Sequence, residues 1–100
     1  MSAKNRSYKI LPKARQDLDA IWRYTFETWS LQQANTYYNE LIGRFPELAA
    51  GIARGRKVGG IKPDYLALAS GSHFIIYKDG VQTITIVRIL HQRMNIGAHF

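Results

Sequence analysis

The apolar positions of this chain follow a strand period first, then a helical one, then a strand period again. Residues 7–11 (SYKIL) alternate, as a short strand does. Pro12 supplies a fixed φ suited to a first helical position. From there Ala14, Leu18, Ile21, Trp22, Thr25 and Trp29 recur at three- and four-residue steps, which predicts a helix over residues 13–28 with one apolar stripe. Arg15, Asp19, Arg23 and Glu27 stand four apart with alternating sign, the pattern of a solvated helix face. Ser30 and Gln33 have capping-box spacing, and Ala34, Tyr37, Tyr38, Leu41, Ile42 and Phe45 continue at helical period. Pro46 cannot donate to the Ile42 carbonyl and crowds that turn, so the second helix is expected to kink or end near Phe45, with ELAAGIA as a displaced last turn. The short link Trp29-Ser30 makes the two helices antiparallel neighbours. The helical spacing of Trp22, Trp29 and Tyr37-Tyr38 favours core packing over base-stacking platforms, with at least one of the adjacent tyrosines near the surface.

Residues 51–63 (GIARGRKVGGIKP) hold four glycines, a proline and four cations and read as a loop with at most a brief extended piece. YLALAS, HFIIYK and VQTITIVRIL follow, each rich in strand formers. Ser70-Gly71 and Asp79-Gly80 separate them as turn dipeptides, and Asp-Gly offers the positive φ values of a two-residue hairpin. The last two strands alternate poorly. Ile75 and Ile76 are adjacent, and Val87, Ile89 and Leu90 crowd around Arg88. Apolar groups on both faces imply cover on both, or a helix layer on one and a partner on the other. The element order βααβββ predicts one α+β domain over residues 1–100. In it, an N-terminal strand and three antiparallel strands form a mostly antiparallel sheet, with the helical hairpin packed on one face.

One hundred residues with 46% hydrophobic content can bury one core without staples. Cysteine is absent, which excludes disulfides, thiolate metal sites and a thiol nucleophile, and fits a reducing cytoplasm. No run approaches a membrane span, and the basic start MSAKNRSYK lacks the apolar stretch of a signal peptide, so the protein is expected to be soluble and cytoplasmic. The net charge is +7. Cations cluster at Lys4, Arg6, Lys9, Lys13 and Arg15, and again at Arg54, Arg56, Lys57 and Lys62. A potential of that sign favours nucleic acid or an acidic protein partner, unless it only keeps the surface solvated.

Catalytic signatures are sparse. His73, His91 and His99 lack metal-ligand spacing, no GxSxG occurs, and GRKVGG is not a phosphate loop, so neither a metal nor a cofactor is implied. Arg88 is the oddity, since it interrupts an otherwise apolar strand. It either pairs internally, with Asp17, Asp19 or Asp64, or emerges on an open face that meets a partner. By alternation His91 and Arg93 share the side opposite Arg88 if the strand runs on. His91 is either a general acid or base or a hydrogen-bonded strand-end histidine.

Several pieces together resemble the ParE-type toxins of the RelE/ParE toxin–antitoxin superfamily. They are Ala14 with Asp17-Leu18 and Ile21, Trp29 with Gln33-Ala34 and Tyr37, Phe45, Leu48-Ala49 and Gly55-Arg56. Pro63 with Tyr65, Gly71-Ser72-His73, Ile76-Tyr77, and Ile86–His91 with Arg93-Met94 complete the set, nearly end to end. The resemblance implies a hairpin-on-sheet fold and a type II toxin that inhibits DNA gyrase and hence replication. It also implies a hetero-oligomer with a cognate antitoxin that neutralises the toxin directly, with operator DNA reached only through that antitoxin. The candidate partner-binding residues are Arg56, Lys57, Arg88, His91, Arg93 and Met94.

A second class is the ribosome-dependent mRNA endoribonuclease of the RelE branch. Attack by the RNA 2′-hydroxyl needs a base, an acid and several cations at the phosphate. Arg56, Lys57, Arg88, His91 and Arg93 would have to supply these, yet no tyrosine follows Arg93, so the set looks incomplete and a non-enzymatic toxin is favoured. A third reading is a degenerate toxin that serves only as a complex partner.

Overall fold

The computed structural model of the protein describes residues 5–99. The predicted order is observed: β1 (Ser7–Ile10), α1 (Pro12–Thr28), α2 (Leu31–Ala50), β2 (Tyr65–Ser70), β3 (His73–Asp79) and β4 (Thr83–His91), followed by a short 3-10 turn, Ile96–His99. The sheet order is β1-β4-β3-β2. β1 runs parallel to β4, and the other two pairings are antiparallel. Both helices cover one face of this mixed sheet, giving the α+β sandwich.

The helices form for the expected reasons. Pro12 opens α1, Ala14 and Leu18 are buried, and the charged residues Arg15, Asp19, Arg23 and Glu27 are exposed. At the start of α2 the Gln33 N–H donates to Ser30 Oγ at 3.0 Å, satisfying one of the end donors. Of the two outcomes expected at Pro46, a kink or an end, the end does not occur: the helix runs on to Ala50 and stops at Gly51 in the left-handed conformation, φ 77°. Phe45, Leu48 and Ala49 are buried on either side of the exposed Pro46. Their burial, roughly 1.5–3 kcal/mol for each large side chain, outweighs the hydrogen bond that Pro46 withholds from Ile42.

The two hairpins differ. Ser70 pairs with His73 across the two-residue turn Gly71-Ser72. Gly71 has φ +58°, and a Cβ there would lie 2.5 Å from the Tyr37 ring. Asp79-Gly80, by contrast, is not the expected two-residue turn. Asp79 still belongs to β3 and pairs with Ile84, so the loop is longer. Gly80 lacks a positive φ. A glycine is required there by contact, because a Cβ would meet the Thr83 carbonyl oxygen at 2.4 Å.

A bulge explains the broken alternation of β4. Ile76 faces Arg88 while Tyr77 faces Ile86, which leaves Val87 as an extra residue. Ile84, Ile86 and, beyond the bulge, Ile89 join the core beneath the helices, with Ile75, Tyr77 and Leu68 from the neighbouring strands. Ala67, Ile76 and Leu90 point the other way and form a second small core with Ile96, packed by Val58, Ile61 and Phe74. The chain's own loop and C-terminal turn therefore cover one end of the outer face.

Arg6 ties the opposite end together. Its guanidinium donates to the Leu48 and Ala49 carbonyls at the end of α2, to the Asp79 carboxylate and to the Gly80 carbonyl. Arg54 adds a second contact to Asp79 at 3.0 Å. Part of the cationic clusters thus serves the fold rather than the solvent. Lys4 lies outside the described residues. Among the described residues, no helix is long and apolar enough to cross a membrane.

Candidate functional site

The hairpin between α1 and α2 ends over the β2–β3 turn and the C-terminal end of β4. A groove of about 890 Å³ opens there. Tyr24, Trp29 and Met94 supply apolar walls, and Tyr37, His73 and His91 supply a polar floor.

The floor is built from one hydrogen-bond network. Tyr37 Oη accepts the Ser72 N–H at 3.0 Å and lies 2.6 Å from His73 Nδ1. Burial, then the neighbouring His91, pulls the His73 imidazole down to about 4, against a weaker pull from Asp17. The neutral ring has one accepting nitrogen, and with Nδ1 unprotonated the Tyr37 O–H donates to it; the same O–H also reaches the Ser70 carbonyl at 3.4 Å. Burial also pushes the Tyr37 phenol up, against the Ser72 N–H, and keeps its proton in place. His73 and His91 are register partners on β3 and β4, with ring centroids 5.2 Å apart in an edge-on arrangement. His91 Nδ1 accepts the Arg93 N–H at 3.1 Å. Gln92 closes the network by donating its side-chain amide to the Gly71 and His73 carbonyls.

The six predicted site residues divide into three places. His91, Arg93 and Met94 come together in the groove. β4 ends at His91, so Arg93 sits in the following turn and not on the strand. Arg56 lies along the free edge of β2, where it makes an isolated bridge to Ala67, and exposed Lys57 follows it. Neither lines the groove. Arg88 is internally paired: Nε donates to Asp17 Oδ2 at 2.8 Å and Nη2 to Oδ1 at 3.0 Å, with both side chains 16% exposed. Of the two placements expected for Arg88, the internal pair is the one observed, with Asp17 as its partner. β1 stops pairing at Ile86, which leaves the adjacent edge of β4 bare, and Asp17 fills it.

Sequence reasoning missed Tyr37 and His73 as site residues, and misplaced Trp29. Trp29 is 67% exposed and Tyr24 66%, not buried. Trp22 instead stacks on Phe26 and donates to Asn35. The signal for Trp29 was its position in the link between helices, where the apolar stripe of α1 has already run past the sheet. For Tyr37 it was the glycine at the facing turn.

This arrangement can bind an apolar anchor and orient polar groups around it. As an acid–base set it has a neutral imidazole, a phenol, His91 and the Glu40 carboxylate, but among the described residues Arg93 is the single Lys or Arg lining the groove. Among the described residues no group of three possible ligands could hold a metal ion.

The ParE toxin of type II toxin-antitoxin system, parDE, is the family whose pattern matches residues 8–96. The chain belongs to the ParE toxin family. Curated relatives agree over nearly full length. A Caulobacter vibrioides protein named Toxin ParE1 is 36% identical over 94 residues, covering 94% of this chain and 97% of the relative. A Mycobacterium tuberculosis Toxin ParE1 is 39% identical over 90 residues, covering 89% and 92%. A solved chain described as the chromosomal ParDE TA system from P. aeruginosa superposes with a TM-score of 0.75 over 87% of this chain and 96% of its own, at 22% identity. That likeness speaks for the ParE fold alone.

Proposed function

We propose that this ParE family toxin inhibits DNA gyrase in the cytoplasm by binding it, without catalysing a reaction of its own, and that a cognate antitoxin neutralises it by direct contact. One observation carries the non-enzymatic reading. Of the five residues a nuclease would recruit, Arg88 is held by Asp17, and Arg56 and Lys57 lie on another edge. His91 and Arg93 are left with one cation between them for a phosphate transition state that needs several. The groove's exposed aromatics suit protein recognition, where such side chains are the usual anchors.

Induction in bacteria tests the reading. Gyrase poisoning predicts filamentous cells with an SOS response, and purified toxin should block supercoiling by gyrase. Prompt arrest of translation with mRNA cut at the ribosomal A site would sink it. The Tyr37–His73–His91 network is the one feature that favours the endoribonuclease alternative. His91→Ala separates the two: a gyrase inhibitor largely keeps its toxicity, whereas a nuclease loses it with an unchanged melting temperature. A chain that binds antitoxin but has neither activity would be a complex partner only.

A further inference from the structure

The charge of this protein is not spread evenly between its layers. The two helices carry four cations and five carboxylates. The rest of the chain carries ten cations and two carboxylates, Asp64 and Asp79. Asp79 is occupied by Arg6 and Arg54. The helical layer is thus close to neutral, and nearly the whole excess is carried by residues outside the two helices.

Strand register shows where that charge is displayed. Tyr8 packs on Phe45 and Ile10 joins the inner core, so Lys9 points outward by alternation. Thr85 lies between the inner residues Ile84 and Ile86, and Lys78 follows inward-facing Tyr77. Lys9 is paired with Thr85, Thr85 with Lys78, and Lys78 with Tyr65. These four residues form one row across all four strands, about 14 Å long at the usual interstrand spacing. Lys62 and Lys78 hold their ammonium groups over the Tyr65 ring at 6.0 and 5.7 Å. Asp64 approaches Lys78 at 3.8 Å, an exposed and weak pair. Lys9, Lys62 and Lys78 are all exposed.

Tyr65, at one end of this row, packs against the small outer core beside Val58 and Ile61, and Lys9, Thr85 and Lys78 lie outside that cover. None of the large exposed apolar side chains belongs to the row. A protein partner needs apolar anchors, and those gather at the aromatic groove instead. Cations interleaved with hydroxyls, beside one half-buried aromatic ring and no exposed apolar side chain, match a chain of phosphates.

We propose that the outer sheet face around Lys9, Thr85, Lys78 and Lys62 binds the phosphate backbone of a nucleic acid, as a second surface distinct from the aromatic groove. The proposal stands apart from the gyrase reading and can be tested without gyrase. Binding of the full-length toxin to a fluorescein-labelled 12-nucleotide single strand is followed by anisotropy over a salt series. Two triple variants with equal charge are compared: Lys9→Gln/Lys62→Gln/Lys78→Gln on the face, and Lys13→Gln/Arg15→Gln/Arg23→Gln on α1. All six positions are exposed, and melting curves check that both variants fold.

The face variant should bind at least about tenfold more weakly, and its slope of log K against log salt should fall by roughly 2, about 0.7 per lost phosphate contact. The α1 variant should keep the wild-type slope. Equal losses in the two variants would overturn the proposal, because net charge alone would then set the binding. So would polyglutamate displacing the strand as well as unlabelled oligonucleotide at equal charge, which would assign the face to an acidic protein segment.

Discussion

Asp17 on the first helix grips Arg88 on the last strand with both carboxylate oxygens, at 2.8 and 3.0 Å. The same carboxylate accepts the Ile89 N–H at 2.9 Å. One side chain thus neutralises a partly buried guanidinium and closes a strand edge that β1 does not reach. The contact raises the Arg88 pKa further, mainly through the hydrogen bonds that Arg88 donates to Asp17 and against a smaller desolvation effect. The charge cannot be relieved by losing a proton.

Asp17→Ala should therefore destabilise the protein by about 2–3 kcal/mol, somewhat less than a fully buried pair because both side chains retain some solvent contact. It leaves a cation and a backbone donor without partners. Asp17→Ala with Arg88→Leu should recover part of the loss, since an apolar strand residue costs less than an orphaned charge. Urea unfolding of the two single variants and the double variant measures the coupling. Additive losses would show that the pair contributes nothing beyond its separate members.

Acid should destabilise the protein in two stages. His73 titrates at 6.5 when unfolded and at about 4 when folded, chiefly because it is buried. Its folded pKa is the lower one, so the unfolded chain binds the extra proton. Stability is full above about pH 6.5 and declines as the pH falls towards 4. Asp79 adds a second decline at lower pH. Burial alone would raise its carboxyl, but the guanidinium groups of Arg6 and Arg54 outweigh that and hold it below its ordinary value. Its stabilisation is present above the unfolded carboxylate pKa and disappears as the pH drops through the folded one. NMR titration of the His73 ring should give a midpoint near 4. A midpoint near 6.5 would remove the first stage, and His73→Gln should flatten it.

Pro46→Ala should stabilise the protein. The side chain is exposed, so nothing is lost from the core, and the new N–H can donate to the Ile42 carbonyl. The propensity difference between the two residues in a helix interior is up to about 3 kcal/mol. Part of it is returned because alanine frees the unfolded chain, so a gain of about 1–2 kcal/mol is expected. A lower denaturation midpoint would mean that proline bends α2 in a way Phe45 and Leu48 need to reach the sheet.

The contrast between Pro46 and Pro12 shows how far local reasoning carried. Pro12 stands where the chain has no intrahelical partner to lose, so local and tertiary preferences agree and the helix start was legible. At Pro46 the local rule opposes three buried neighbours, and tertiary burial wins. The strand alternation failed for a similar reason. A bulge at Val87 cannot be read from composition, yet it reverses which face every later residue of β4 takes. The candidate site was half legible. His91, Arg93 and Met94, which share the groove, were singled out because they end a strand abruptly. Tyr37 and His73 were missed because their contact joins residues 36 apart, and nothing in either segment points to the other. Arg88 was recognised as exceptional, but three carboxylates were equally available on paper. Only the early stop of β1 selects Asp17.

Trp29 and Tyr24 separate recognition from stability. They are 67% and 66% exposed on the groove wall, so truncating them removes little packing. Trp29→Ala and Tyr24→Ala should each leave the unfolding free energy within about 0.5 kcal/mol of wild type. If the groove receives a protein partner, an anchoring aromatic contributes on the order of 2 kcal/mol to binding, or roughly thirtyfold in affinity. Toxicity on induction, and the dissociation constant of the neutralising antitoxin, should then weaken in at least one of the two variants. Val81→Ala is the control, because Val81 is 93% exposed in the β3–β4 loop at the other end of the sheet. Wild-type toxicity and antitoxin affinity in both aromatic variants would exclude the groove as the partner surface. Equal weakening by Val81→Ala would show that the loss reflects general surface hydrophobicity instead.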